Sequence, residues 1–178
     1  MSAILPPSER LWWKQPIAGQ EWAWIGIAFV WAMIMFVMMV YWHINGKQNL
    51  SNEAYRTTTE MFQAKTDAFV KENTIRTETD QQIPVAKPNA KGEAFLLARL
   101  WSWYPILELE AGKTYKIHLS SVDYLHGFSL QPVNINIQVH PGYEHVFTMT
   151  PTTSGQFGII CNEFCGVGHH TMASRMYI

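Results

Sequence analysis

The sequence predicts a mainly β protein, a small β-sandwich tethered by one N-terminal transmembrane α-helix. Three observations carry that expectation. A run of 21 residues near the N-terminus has no charged side chain, the C-terminal half breaks into short strand-like runs cut by Pro and Gly turns, and both cysteines fall in one Gly-containing loop beside a His and a Met. The 178 residues are 48% hydrophobic and 15% charged, against roughly 25% charge in an ordinary soluble domain. This length accommodates one medium domain, or a small domain with an appendage. A net charge of −1 with no cluster of Lys and Arg excludes a nucleic-acid binder held by bulk electrostatics. Two Cys are too few for a disulfide scaffold, and the aromatic and aliphatic content excludes disorder throughout.

The uncharged run is Trp22–Trp42, WAWIGIAFVWAMIMFVMMVYW. As a helix it extends about 31 Å at ~1.5 Å per residue, matching a bilayer core of ~30 Å. Trp22 and Trp24 sit at one end and Tyr41 and Trp42 at the other, where aromatic rings favour the water–lipid interface. A buried helix of a soluble protein would need a polar face, which this run lacks. A cleaved leader would have an apolar core of ~7–15 residues followed by small residues. Here the run is longer and Tyr41, Trp42 and His43 close it, so a retained anchor is expected. Arg10 and Lys14 before the span balance Lys47 and Arg56 after it, so flanking charge gives no orientation.

Four segments follow: residues 1–21 as an N-terminal segment, 22–44 as the span, 45–92 as a linker, and 93–178 as the folded domain. Asn45-Gly46 is a turn signal that stops the helix. Between Asn52 and Asn73, apolar residues at Ala54, Met61, Phe62, Ala64, Ala68, Phe69 and Val70 fall partly at helical spacing. They predict an amphipathic helix whose apolar face docks on its own domain, on a partner or on lipid. Pro84 and Pro88 in the polar stretch 74–92 predict an extended linker. Beyond it, Phe95–Trp103, Thr114–Ser120, Ile135–Val139, Glu144–Met149 and Gln156–Ile160 read as strands, with turns at Ala111-Gly112 and Pro141-Gly142. About 85 residues suffice for one sandwich or barrel with a modest core.

The two cysteines lie in Cys161-Asn162-Glu163-Phe164-Cys165-Gly166-Val167-Gly168-His169-His170-Thr171-Met172, a C-x-x-x-C-x-x-x-H-x-x-M pattern. Thiolate and thioether are soft donors, and with imidazole they select copper over zinc or magnesium. Met is the discriminating residue, because structural zinc sites rarely use a thioether. A distant His often completes such a site, and His126 stands where one strand is expected to end and a Gly turn to start. The residues leave alternatives open: two bridging sulfurs between two copper ions, a single copper with one Cys, zinc, or a disulfide.

The motifs V-D-Y-L-H-G-F, N-I-N-I-Q-V-H-P-G and I-I-C-N-E-F-C-G-V-G-H-H-T-M resemble subunit II of the heme-copper oxidases, and their wording with a single anchor resembles the B-type branch. The resemblance covers about Phe95–Ile178 plus the anchor. It implies a cupredoxin-like β-sandwich holding a binuclear CuA centre. Cys161 and Cys165 would bridge both coppers, and His126 and His169 would each bind one. Met172 would be a weak axial ligand, and Glu163 would ligate through its backbone carbonyl. Asp123, three residues before His126, is a candidate to support the ligands from behind, or else a surface turn carboxylate. Trp101-Ser102-Trp103-Tyr104 resembles the aromatic segment that receives electrons, so Trp101 or Trp103 is expected at the input surface. In another branch of the family the carboxylate at the Glu163 position helps hold Mg²⁺ at the border with subunit I, which makes Glu163 a candidate Mg²⁺ ligand. His170 lacks the spacing to Met172 and is expected at the surface, while His43, His118, His140 and His145 fit no ligand pattern.

The resemblance implies an oxidoreductase complex in the inner or plasma membrane, with cytochrome c as donor, heme in subunit I as acceptor, the lipid bilayer as a second partner and no nucleic acid. The C-terminal domain would face the periplasm or cell exterior. The CuA subunit of a nitric oxide reductase competes with that reading, as does a membrane-tethered copper carrier. Nitrous oxide reductase is soluble and far longer, and quinol oxidase subunits lack these ligands.

Overall fold

The structure is a computed structural model and describes residues 16–46, 52–79, 82–133 and 135–178. Two units are separable, residues 1–49 and residues 50–178.

The first unit contains helix α1, Gly19–Asn45. Its first turn is closed by Glu21, whose carboxylate accepts the Ala18 N–H at 2.7 Å. Its last turn is closed by the Gly46 N–H donating to Trp42 O at 2.8 Å. No residue of α1 is buried against protein, and large apolar side chains point outward all round it. The helix is long and apolar enough to cross a membrane. Residues 1–15, with Arg10 and Lys14, and Lys47 lie outside the described residues.

The second unit is a two-sheet sandwich with one helix on its flank. Its strands are β1 (Asn52–Arg56), β2 (Thr74–Thr77), β3 (Pro84–Ala86), β4 (Glu93–Arg99), β5 (Ser102–Tyr104), β6 (Ile106–Glu108), β7 (Tyr115–Ser121), β8 (His126–Gln131), β9 (Ile135–Val139), β10 (Tyr143–Met149), β11 (Gln156–Cys161) and β12 (Ala173–Tyr177). One sheet has the order β1-β10-β7-β4-β5 and the other β2-β3-β6-β12-β11-β8-β9. Both are mixed, since β4 runs parallel to β7 and β12 parallel to β6. The inner faces meet in a core centred on Trp103, Leu96, Ile117, Phe128, Phe147 and Ile159, all fully or almost fully buried. The INIQV run shows how register is chosen: Ile135, Ile137 and Val139 are buried, while Asn136 and Gln138 face outward. A slip of one residue would put two polar groups in the core.

Three expectations need correction. Residues 52–56 are not helical. They form edge strand β1 against β10, and the amphipathic helix is the shorter α2, Thr59–Asn73. Thr58 caps α2, its hydroxyl accepting the Met61 N–H at 3.2 Å. The helix buries Phe62, Thr66, Phe69 and Val70 on one side, with Phe62 and Phe69 against Phe95 of β4. Secondly, residues 74–92 are not a free linker. They supply β2 and β3 to the second sheet, and Val85 and Ala86 are fully buried. Finally, Gly127 is not a turn residue: His126 opens β8, and Gly127 pairs with Gln138 inside the sheet.

Candidate metal centre

β11 delivers Cys161 as its last residue, paired with Phe128 of β8, so Cys161 and His126 emerge at the same rim of the sandwich. The loop after Cys161 returns to β12, and its ends are tied by the Cys161 N–H donating to Met172 O at 3.1 Å. Within it, a short 3-10 turn over His169–Thr171 is held by the His169 N–H on Gly166 O and the Met172 N–H on His169 O. Gly166, at φ +111°, supplies a left-handed conformation that a side chain would strain.

This framework brings together every residue the sequence proposed as a ligand. The Cys161 and Cys165 sulfurs lie 3.8 Å apart, and both cysteines are free. His126 Nδ1 is 3.9 Å from Cys161 Sγ, and His169 Nδ1 is 3.7 Å from Cys165 Sγ. Met172 Sδ lies 3.7 Å from Cys165 Sγ, and the Glu163 carbonyl oxygen 3.2 Å from Cys161 Sγ. The ligand atoms of His126, Cys161 and Cys165 all fall within 4.8 Å of one another. His126, both cysteines and Met172 are buried, His169 is partly exposed, and His170 is exposed. Burial, followed by the neighbouring Cys161 thiol, pushes the Cys165 thiol up to about 11. A soft cation binding there displaces the proton, because the thiolate is the ligand. Two sulfurs, two imidazoles, a thioether and a carbonyl suit copper rather than a hard cation.

Asp123 lies behind His126, its Oδ1 2.7 Å from His126 Nε2. Its carboxylate also accepts the Leu100 N–H at 2.6 Å and the Tyr124 N–H at 2.7 Å. Burial opposes ionisation of Asp123, but the hydrogen bonds from His126, Tyr124 and Leu100 outweigh it and its pKa falls below the ordinary value. With Nε2–H donated to Asp123, the His126 lone pair at Nδ1 faces the sulfurs.

The two tryptophans separate. Trp101 is 40% exposed, whereas Trp103 is wholly buried, its ring 6.3 Å from the His126 ring. Of the two expected alternatives, Trp103 is the core residue, because it occupies the inward position of β5. Trp101 lies against the ligand loop: its Nε1–H donates to Cys165 O at 3.3 Å, and a Cβ at Gly168 would come within 2.2 Å of its indole. Leu100, Trp101, Tyr124, Phe164 and Val167 line an apolar groove of about 500 Å³ over Cys165.

Residues not singled out from sequence also hold the loop. Asn162 Nδ2 donates to Asn136 Oδ1 at 3.0 Å, and Gln138 Nε2 donates to Glu163 Oε1 at 2.8 Å. The carboxylate expected as a candidate for Mg²⁺ is thus engaged by an amide. Among the described residues, the cluster of His, Cys, Asp or Glu with metal-holding spacing is His126, Cys161 and Cys165, and it does not include Glu163. The sequence marks Ile135–Val139 as a strand, but not which loop the outward Asn136 and Gln138 meet.

No family model matches the chain. It is 34% identical over 85 residues to cytochrome c oxidase subunit 2 of Thermus thermophilus, a match spanning 47% of this chain and 63% of that relative. It is 40% identical over 68 residues to a probable cytochrome c oxidase subunit 2 of Streptomyces coelicolor, spanning 38% of this chain and 21% of that one. The chain thus covers less than two thirds of the length of these relatives. Among solved structures it is similar in fold to a chain of a heme-copper terminal oxidase dimer, with a TM-score of 0.59 and 21% identity, covering 89% of this chain and 99% of that one. The fold is a two-sheet β-sandwich in a chain that also has one apolar N-terminal helix, and over about half of its length the chain is similar to proteins named cytochrome c oxidase subunit 2.

Proposed function

We propose that this chain is the electron-input subunit of a membrane heme-copper terminal oxidase of the B-type branch. It accepts electrons from cytochrome c or a similar donor at a binuclear CuA centre, and passes them to heme in subunit I, where oxygen is reduced to water. One observation carries the reading: two cysteine sulfurs 3.8 Å apart, each beside its own imidazole. That pairing suits two ions sharing two sulfurs better than one ion bound by a single Cys. Cys161 and Cys165 would bridge the coppers, with His126 on one and His169 on the other. Met172 and the Glu163 carbonyl would be the weak outer ligands. When bound, the copper pair supplies a one-electron couple with small structural change.

The chain's own residues prepare that site. The strand ends of β8 and β11 fix His126 and Cys161, so the donors need little rearrangement. Asp123 orients His126, and burial of the sulfurs and Met172 keeps water from them. Trp101, exposed and hydrogen-bonded to Cys165 O, is the proposed point of electron input, and the apolar groove around it is the surface a donor meets. In this reading α1 spans the inner or plasma membrane, with Met1 on the cytoplasmic side and the sandwich on the periplasmic or outer side. The oxygen chemistry belongs to another subunit.

Metal analysis and EPR of the full chain in detergent test the proposal. Two coppers per chain with a seven-line hyperfine pattern are expected. One copper with four lines overturns the reading.

A further inference from the structure

The N-I-N-I-Q-V motif includes two outward side chains, and both end on the ligand loop. β9 is the last strand of its sheet. Gln138 stands opposite Gly127 of β8, and Asn136 opposite Ser129. The dipeptide Asn162-Glu163 passes directly over Gly127: a Cβ there would come within 1.9 Å of Asn162 Oδ1 and 2.8 Å of Glu163 N. The missing side chain is what lets the loop lie flat on the sheet. Three hydrogen bonds then fix the dipeptide. The Asn162 N–H donates to Gly127 O at 3.1 Å, Asn162 Nδ2 to Asn136 Oδ1 at 3.0 Å, and Gln138 Nε2 to Glu163 Oε1 at 2.8 Å.

What these bonds hold is the Glu163 peptide plane, whose carbonyl oxygen sits 3.2 Å from Cys161 Sγ. A carbonyl has no rotamer of its own, so its approach to the sulfurs is set by what anchors the residue on either side. Asn162 is anchored at its backbone and its side chain. Glu163 is anchored through its carboxylate, by Gln138.

We infer that Gln138 is a positioning residue for the metal centre, acting through the Glu163 side chain to aim the Glu163 carbonyl. The inference rests on the two-copper reading above and deepens it. The carboxylate of Glu163 is then a tether to β9, and its negative charge is met by an amide rather than by a second cation. A weak outer ligand tunes a copper centre, so loss of the tether alters the electronic structure without removing a bridging ligand.

The test uses the full chain in detergent, loaded with copper, and compares wild type with Gln138→Leu, Gln138→Glu and the double variant Gln138→Glu/Glu163→Gln. Readouts are the EPR hyperfine pattern, the visible absorption and the rate of copper loss to a chelator, with melting of the copper-free chain as a check on folding. Gln138→Leu and Gln138→Glu are expected to alter the spectra and release copper about 10-fold faster, the usual scale for losing a partner behind a ligand. The double variant exchanges donor and acceptor, restores the hydrogen bond in reverse, and is expected to return both readouts towards wild type. Spectra and release rates unchanged in both single variants overturn the inference, as does a double variant no better than Gln138→Glu. If wild type itself lacks the two-copper signal, the proposed function and this inference fall together. A normal wild-type signal with indifferent Gln138 variants removes only the inference.

Discussion

Asp123 gathers donors from three directions: the His126 ring, the Tyr124 N–H and the Leu100 N–H. Replacing it by Ala leaves two backbone donors and an imidazole without their acceptor. Asp123→Ala is expected to lower the stability of the sandwich by about 1–3 kcal/mol, read from urea unfolding of the metal-free protein. It should also weaken copper retention. An unchanged midpoint would show that water replaces the carboxylate. Gly168 is the second decisive position. A Cβ there would meet Trp101 Cδ2 at 2.2 Å and Cε3 at 2.5 Å, too close for adjustment of a flexible tip. Gly168→Ala is expected to cost about 1–3 kcal/mol by overpacking and to push the indole outward, which tryptophan fluorescence detects as a red shift. An emission maximum that stays put would contradict the contact.

At the level of elements, α2 is fastened to the sandwich by an apolar face and a partly buried polar cluster. Phe62 is fully buried, and Phe62→Ala is expected to destabilise by about 3–5 kcal/mol, visible as a lower melting temperature. Beside it, Glu144 of β10 accepts Lys65 Nζ from α2 at 3.0 Å and faces His118 Nδ1 of β7 at 2.6 Å. Burial raises the Glu144 pKa, but the hydrogen bonds from Lys65 and His118 prevail and hold it below its ordinary value of 4.5. A carboxyl depressed in the folded state contributes stability above its unfolded pKa and loses it as pH falls through the folded one. Glu144→Gln is therefore expected to be less stable than wild type near neutral pH, with the gap closing as the solution is acidified below about 4.5. Melting curves across pH check this, and a gap that widens in acid would refute the sign.

For the whole molecule, the informative quantity is where the folded unit begins. The sequence placed the domain boundary at residue 93, because 45–92 is polar and carries Pro84 and Pro88. The sandwich instead draws β1, α2, β2 and β3 from that stretch. A fragment of residues 50–178 is expected to unfold in one cooperative transition without the anchor, whereas residues 93–178 should aggregate with Phe95 uncovered. Circular dichroism and size exclusion distinguish the two, and a soluble, cooperative 93–178 fragment would restore the shorter boundary.

Some features were legible along the chain because their signal is local. The anchor follows from 21 uncharged residues, β9 from its alternation, and the donor loop from a C-x-x-x-C-x-x-x-H-x-x-M spacing within twelve positions. β1 and β2 were not legible, since polar edge strands take their order from the partner they hydrogen-bond, and β3 was not because three residues opened by Pro84 are too short to show an alternation. The division between Trp101 and Trp103 was not legible either: two residues apart, they would share one face of a continuous strand, but Trp101 lies in the turn before β5 and Trp103 inside it. What His126, Gln138 and Asn136 meet depends on sheet register. Sequence supplied which donors exist and their chemical softness, because those are properties of single side chains and short spacings. Only the tertiary structure set His126 within 3.9 Å of Cys161 and Gln138 within 2.8 Å of Glu163. Residues 25 and 35 positions apart meet through sheet register and loop closure, which no local pattern encodes.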